Sequence, residues 1–163
     1  MRLHLICLLS VLLCASIASA FTPEDMAKLT FAYAKTFKYI TQPEKFLACV
    51  NGSIEQNWNK FILQANSMDI NNTIKAVTAF TYFLSPAFAT LATMNPCGED
   101  EIQTLYYLIK DRLRQRDWFI DKVNANITYL IDGMNSLINN WGQHSYENVG
   151  TDAGKIVNAI FIS

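Results

Sequence analysis

Residues 97–141 read CGEDEIQTLYYLIKDRLRQRDWFIDKVNANITYLIDGMNSLINNW. Ile102, Leu105, Ile109 and Leu113, then Ile120, Val123, Ile127, Leu130, Met134, Leu137 and Trp141, recur at alternating spacings of three and four with one interruption. That spacing turns one face of a helix toward a partner. As a single rod, Glu99 to Trp141 would be about 65 Å long, whereas a compact domain of this length has a radius of gyration of only about 14–15 Å. The apolar positions slip near Leu113, and the polar run from Arg112 to Asp117 sets Arg116 on the apolar side. The pattern therefore predicts a break near Gln115, with Asp117 capping the second half.

The flanking chain supplies further helices. Thr22-Pro23-Glu24-Asp25 combines a hydroxyl cap, a proline at the first helical position and acids beside the positive end of the dipole. Met26, Leu29, Tyr33, Phe37 and Ile40 line the helix that follows. Pro43 opens a short segment carrying Phe46, Leu47, Cys49 and Val50, which Asn51-Gly52 can end. Ser53 to Gln56 reads as a capping box for a helix with Ile54, Trp58, Phe61, Ile62 and Ala65 on its inner face. Asp69 or Asn71 is the expected cap of the next helix, whose apolar positions are Ile70, Ile74, Val77, Thr81, Leu84, Phe88 and Leu91. Pro86 lies inside that pattern and is expected to kink it.

Gly142 to Ser145 reads as a loop, and Tyr146, Val149, Ala153, Ile156, Val157 and Ile160 as the stripe of a terminal helix. Gly150 and Gly154 stand four apart on one face of it. Glycine weakens a helix interior by about 1 kcal/mol relative to alanine, so the pair suggests close approach to another helix or a frayed first turn. No run of alternating strand residues competes with these patterns. The fold class expected is an all-α, single-domain bundle of about six or seven helical segments.

Arg2, the apolar run from Leu5 to Leu13 and the small residues Ala18-Ser19-Ala20 make residues 1–20 a secretory signal peptide, with cleavage after Ala20. The run is well short of the ~20 residues a membrane span needs. Residues 21–163 then form one domain, with 12 basic against 14 acidic residues. That near balance offers nucleic acid or an anionic membrane no electrostatic attraction. Cys49 and Cys97 remain after cleavage, and an even count in an oxidising compartment favours one disulfide between them. Closing that loop would stabilise the fold by about 4 kcal/mol in the chain-entropy model.

Signals for chemistry are sparse. His144 is the one histidine in residues 21–163, and no strained-turn nucleophile is apparent around Ser85, Ser136 or Ser145. Asp117 and Asp121 can face each other across a helical turn, but they read as a wet face. Glu99, Asp100 and Glu101 read as a helix start and lack the further oxygens of a calcium site. Arg112, Arg114 and Arg116 are bracketed by Asp111 and Asp117 and read as a solvated connector. No catalytic residue, metal ligand or cofactor is assigned.

Asn51-Gly52-Ser53, Asn71-Asn72-Thr73 and Asn126-Ile127-Thr128 fit the N-glycosylation pattern, with Asn126 beside the core stripe. Phe80, Tyr82, Phe83 and Phe88 give the segment around Pro86 apolar groups on several sides. Phe80, Phe83 and Phe88 are therefore the candidates for contact with an apolar ligand, although a filled core explains them as well.

Phe46-Leu47-Ala48-Cys49, the Pro96-Cys97 pair after a long apolar helix, Val123-Asn124-Ala125-Asn126, and the ending Tyr146, Gly150, Gly154-Lys155-Ile156-Val157 resemble the small secreted helical proteins abundant in ciliate genomes, a group without characterised function. The resemblance covers most of residues 21–163. It implies an α-helical fold and a disulfide, and it transfers no active residue. The expected function is that of a secreted, non-enzymatic interaction module, outside the cell or in a secretory lumen, with an unidentified protein partner. A carrier of a small apolar ligand such as a lipid is the second reading, and neither needs nucleic acid or a membrane span.

Overall fold

A computed structural model describes residues 22–37, 53–94 and 100–163. These hold seven helices and no strands: α1 (Pro23–Lys35), α2 (Ser53–Asn66), α3 (Thr73–Met94), α4 (Asp100–Arg114), α5 (Arg116–Ala125), α6 (Ile127–Gly142) and α7 (Tyr146–Phe161). The all-helical class expected from the spacing is what the chain adopts. The signal segment, Ile40, the segment after Pro43, Cys49, Asn51 and Cys97 lie outside the described residues.

The start of α1 follows its sequence. The Asp25 amide donates to Thr22 Oγ1 at 3.1 Å, and the Thr22 amide donates to Asp25 Oδ2 at 3.0 Å, with Pro23 at the first helical position. This closes a capping box that satisfies two otherwise unpaired backbone donors. The Thr22 hydroxyl also donates to Asp25 Oδ2, and these bonds hold the Asp25 carboxyl below its ordinary pKa. Met26, Leu29, Tyr33 and Phe37 are buried, as their spacing requires.

The packing runs α1 on α7, α7 on α6, α6 on α3 and α3 on α2, with α4 resting on α3. Gly150 and Gly154 explain the first of these contacts. A β-carbon on Gly150 would stand 2.1 Å from the backbone oxygen of Leu29, and one on Gly154 would stand 1.9 Å from Thr36 Oγ1. The glycine pair therefore marks close approach to α1 and not a frayed end. Asn158 Nδ2 donates to the Thr36 carbonyl at 3.0 Å and satisfies the last turn of α1 from the same helix.

Rings fill the middle of the bundle. Trp58, Phe61 and Phe83 form a triangle with centroids 5.8 to 6.1 Å apart, and Phe80 joins Phe83 to Phe119, which stacks on Phe161. On the other side Trp58 stacks on Trp141, which meets Tyr146 edge to face. The two ends of α7 are thus linked by rings from α6, α2, α3 and α5. Offset and edge-on ring contacts add about 0.5–1.5 kcal/mol each beyond area burial. Three polar side chains within this core are paired: Trp58 Nε1 donates to Thr90 Oγ1 at 3.2 Å, Thr90 Oγ1 to the Pro86 carbonyl at 2.8 Å, and the Tyr33 hydroxyl to the Ala87 carbonyl at 3.4 Å. Burial pushes the Tyr33 phenol far above its ordinary pKa.

Several sequence expectations need correction. The inner face of α3 is Ala76, Ala79, Phe80, Phe83, Ala87, Thr90, Leu91 and Met94, whereas Ile74 is 77% exposed and Thr81 faces solvent. Small alanines let α2 and α6 approach, so the inward face is rotated from the one the large apolar residues suggest. The cap of α3 is Asn72, whose Oδ1 accepts from the amides of Ile74 and Lys75; it is neither Asp69 nor Asn71. The break at Gln115 falls where expected, but Asp117 sits in the first turn of α5 without capping it.

A second break interrupts the long stretch at Asn126, whose amide donates to the carbonyls of both Lys122 and Val123 at 3.2 Å. On α5, Phe119 packs on the core while Ile120 is 42% exposed. The two breaks let α5 be a short connector and free α6 to lay Leu130, Met134 and Leu137 on the core. Last, the connector reading of Arg112 is incomplete. Its guanidinium donates to the Phe161 carbonyl and lies 4.8 Å from the Trp118 ring centroid, while Lys122 Nζ donates to the Ser163 backbone oxygen at 2.7 Å. Two cations thus satisfy the carbonyl end of α7, where the helix dipole is negative.

Candidate functional site

A concave surface lies between α6 and α7. These helices approach closely because residue 133 is glycine: a β-carbon there would stand 3.0 Å from Ile156 Cγ1. Their apolar stripes meet in the core, and the polar positions beside the stripes form the rim. On α6, Tyr129, Asp132, Ser136 and Asn140 recur at helical spacing; on α7, Asp152, Lys155 and Ala159 do the same.

The groove comprises two hollows that share Tyr129 and Lys155. The larger holds about 390 Å³ and is completed by Asn126, Asn158, Ala159 and Ser163; the smaller holds about 230 Å³ and is completed by Asp132, Gly133, Ser136, Asp152 and Ile156. Ser136 Oγ donates to Asp152 Oδ2 at 2.7 Å, and Asn140 Nδ2 donates to the same oxygen at 2.8 Å. The serine proton is thus committed to a carboxylate, an arrangement that fixes side chains and does not by itself make a nucleophile. Burial and then the charge of Asp152 raise the pKa of the Tyr129 phenol, so the hydroxyl stays a donor. Asn126 Nδ2 donates to the Lys122 carbonyl at 2.9 Å.

The residues singled out in the sequence fall elsewhere, apart from Asn126. Phe80 and Phe83 are fully buried within the ring cluster, and Phe88 is half-buried against Tyr106 with centroids 6.2 Å apart. Near Phe88 an apolar crevice of about 160 Å³, bounded also by Tyr33, Leu84 and Phe161, is too narrow to admit a water molecule. Asn71 is exposed in the turn before α3, and its Oδ1 accepts from Asn135 Nδ2 at 3.2 Å. Asp117 and Asp121 face solvent.

His144 holds a left-handed backbone at φ 56° just after α6. The Ser145 amide donates to the Asn140 carbonyl and the His144 amide to that of Trp141, both at 2.9 Å, which is the Schellman closure of a helix end. The histidine ring nitrogen Nδ1 lies 3.0 Å from the Tyr146 hydroxyl. His144 is therefore part of a turn as well as a solvated side chain. No group of three or more potential metal-ligating side chains occurs among the described residues.

The groove residues other than Asn126 went unassigned in the sequence because the apolar stripe dominates the reading. Their signal is a second, polar stripe running beside it on two helices that pack together. No family model, curated protein or solved structure matches the chain.

Proposed function

We propose that the chain is a secreted, non-enzymatic interaction module whose binding surface is the α6–α7 groove. The observation that carries this reading is the placement of space among the described residues: open volume lies on a polar rim between α6 and α7, while rings fill the middle of the bundle and the apolar crevice near Phe88 is too narrow for water. A carrier needs an apolar cavity of about 300 Å³ or more. The second reading, a carrier of a small apolar ligand, rests on the half-buried Phe88 and Leu84 at the mouth of that crevice, which would have to swing outward. Helix α3 is long and apolar enough to cross a membrane, but its inner face packs on α2 and α6, which suits a core helix better.

Secretion follows from the composition of residues 1–20, and a Cys49–Cys97 disulfide and glycosylation at Asn51, Asn71 or Asn126 follow from that compartment. Exposure of Asn71 supports it as an acceptor. The likeness to ciliate secreted proteins belongs to the same proposal. Mass spectrometry of the protein from its own secretions, under native and extracting conditions, tests the function. A co-purifying protein without apolar ligand is the expected result. A stoichiometric lipid would favour the carrier, and retention of Met1 would refute secretion through a cleaved signal. Two alkylatable thiols in unreduced material would remove the disulfide.

A further inference from the structure

We propose that the α6–α7 groove is a saccharide site that takes N-acetylglucosamine-containing glycans. Its walls mix hydrogen-bonding roles: Lys155 and the Tyr129 hydroxyl donate, Asp132 accepts, Asp152 can accept beyond its bonds from Ser136 and Asn140, and Asn126 and Asn158, each with an Nδ2 bond to a backbone carbonyl, keep a second N–H and Oδ1. A ligand rich in hydroxyls, each donor and acceptor at once, can meet that remaining capacity, whereas an apolar ligand would displace its water and replace no bond. One lysine against two aspartates gives a strongly charged ligand little advantage.

Tyr129 lines both hollows and is 44% exposed, so part of its ring is open to the C–H edge of a sugar. The N-acetyl group adds an amide for the asparagines and a methyl for the Ala159 wall. The larger hollow, at about 390 Å³, falls within the size range of small-ligand sites.

Asn126 connects this chemistry to a source. It is the acceptor of the sequon Asn126-Ile127-Thr128 and stands in the wall of the larger hollow. Glycosylation at Nδ2 leaves one N–H on that nitrogen, so its bond to the Lys122 carbonyl can persist. The saccharide is then either the chain's own glycan, folded back over Tyr129, or a glycan of another molecule. The inference rests on the groove being the binding surface.

The test is a titration of full-length secreted protein with N,N′-diacetylchitobiose, followed through backbone amide chemical shifts. The chain is prepared both as secreted and with the Asn126 sequon removed by Thr128→Ala, which leaves every lining side chain in place. Saturable shifts at Tyr129 and Lys155 in the sequon-free chain are expected, with affinity about fivefold to tenfold weaker in Tyr129→Ala and less weakened in Tyr129→Phe, which loses the hydroxyl donor but keeps the ring. Binding lost when Asn126 carries its glycan, with that glycan resisting enzymatic release until unfolding, identifies the chain's own glycan as occupant. Equal binding by both forms identifies another molecule's glycan. Absence of groove shifts in the folded sequon-free chain overturns the proposal. If Lys155→Glu still releases a protein partner in that case, only the saccharide falls; if it does not, the interaction reading falls as well.

Discussion

The α-carbon of Gly150 faces the backbone oxygen of Leu29 so closely that a β-carbon would stand 2.1 Å from it. Backbone cannot rotate aside as a side chain can, so this single contact sets the distance between α1 and α7. Gly154 repeats the approach one turn later, but against the Thr36 side chain, whose hydroxyl donates to the Tyr33 carbonyl at 2.7 Å.

Alanine scanning of the glycines should therefore give a graded series. Gly150→Ala and Gly154→Ala should each destabilise by about 1–3 kcal/mol, since turning Thr36 leaves its Cβ 2.7 Å from the carbon added at residue 154, and Gly133→Ala should cost least because the flexible end of Ile156 yields. Gly142→Ala meets nothing within 4 Å and should stabilise by about 0.5–1 kcal/mol. Urea unfolding curves read the order, and a gain at Gly150 would contradict the packing.

Thr30 and Thr90, both fully buried, should respond oppositely to valine. Thr30 Oγ1 has no hydrogen-bond partner in the structure among the described residues, so Thr30→Val should stabilise by about 1 kcal/mol. Thr90→Val removes the acceptor of the buried Trp58 indole and should cost about 1–3 kcal/mol. Equal changes in midpoint would contradict this assignment.

At the other end of α7, Arg112→Ala should cost about 1–2 kcal/mol, through the lost bond to the Phe161 carbonyl and the lost contact with Trp118. Arg114→Ala, whose ion pair with Asp111 is solvent-exposed at 3.8 Å, should be near neutral. Thermal unfolding of both variants separates a capping arginine from a connector.

The capping box of α1 carries a pH dependence. The Asp25 pKa is depressed in the folded chain, chiefly by its bond from Thr22, so its stabilisation is present above the unfolded carboxyl value and lost as pH falls through the lower folded one. Thr22→Ala should cost about 1 kcal/mol near neutral pH. That difference from wild type should narrow in acid, as followed by denaturant midpoints; a difference that widened as pH fell would contradict the sign.

Legibility in the sequence tracked how much of each residue's environment is local. The stripes of α1, α2 and α7 were readable because large apolar residues repeat at helical spacing and are buried as such. The stripe of α3 was not, because its inner face is carried by Ala76, Ala79 and Ala87, whose value lies in letting neighbours approach. Gly142 looked like the loop residue, yet the left-handed position is held by His144, where hydrogen bonds to α6 carbonyls impose the conformation. Nor could local spacing reveal that Arg112 reaches α7, or that Asp152 meets Ser136 across the groove, since both pairings depend on which helices become neighbours.

The placement of binding on the α6–α7 groove is tested most directly by co-purification from the protein's own secretions, comparing wild type with Lys155→Glu in the groove and Lys60→Glu on the exposed side of α2. The expected result is a partner retained by wild type and by Lys60→Glu but lost from Lys155→Glu, with all three folded by circular dichroism. Retention by Lys155→Glu, or a stoichiometric lipid in all three, would contradict it.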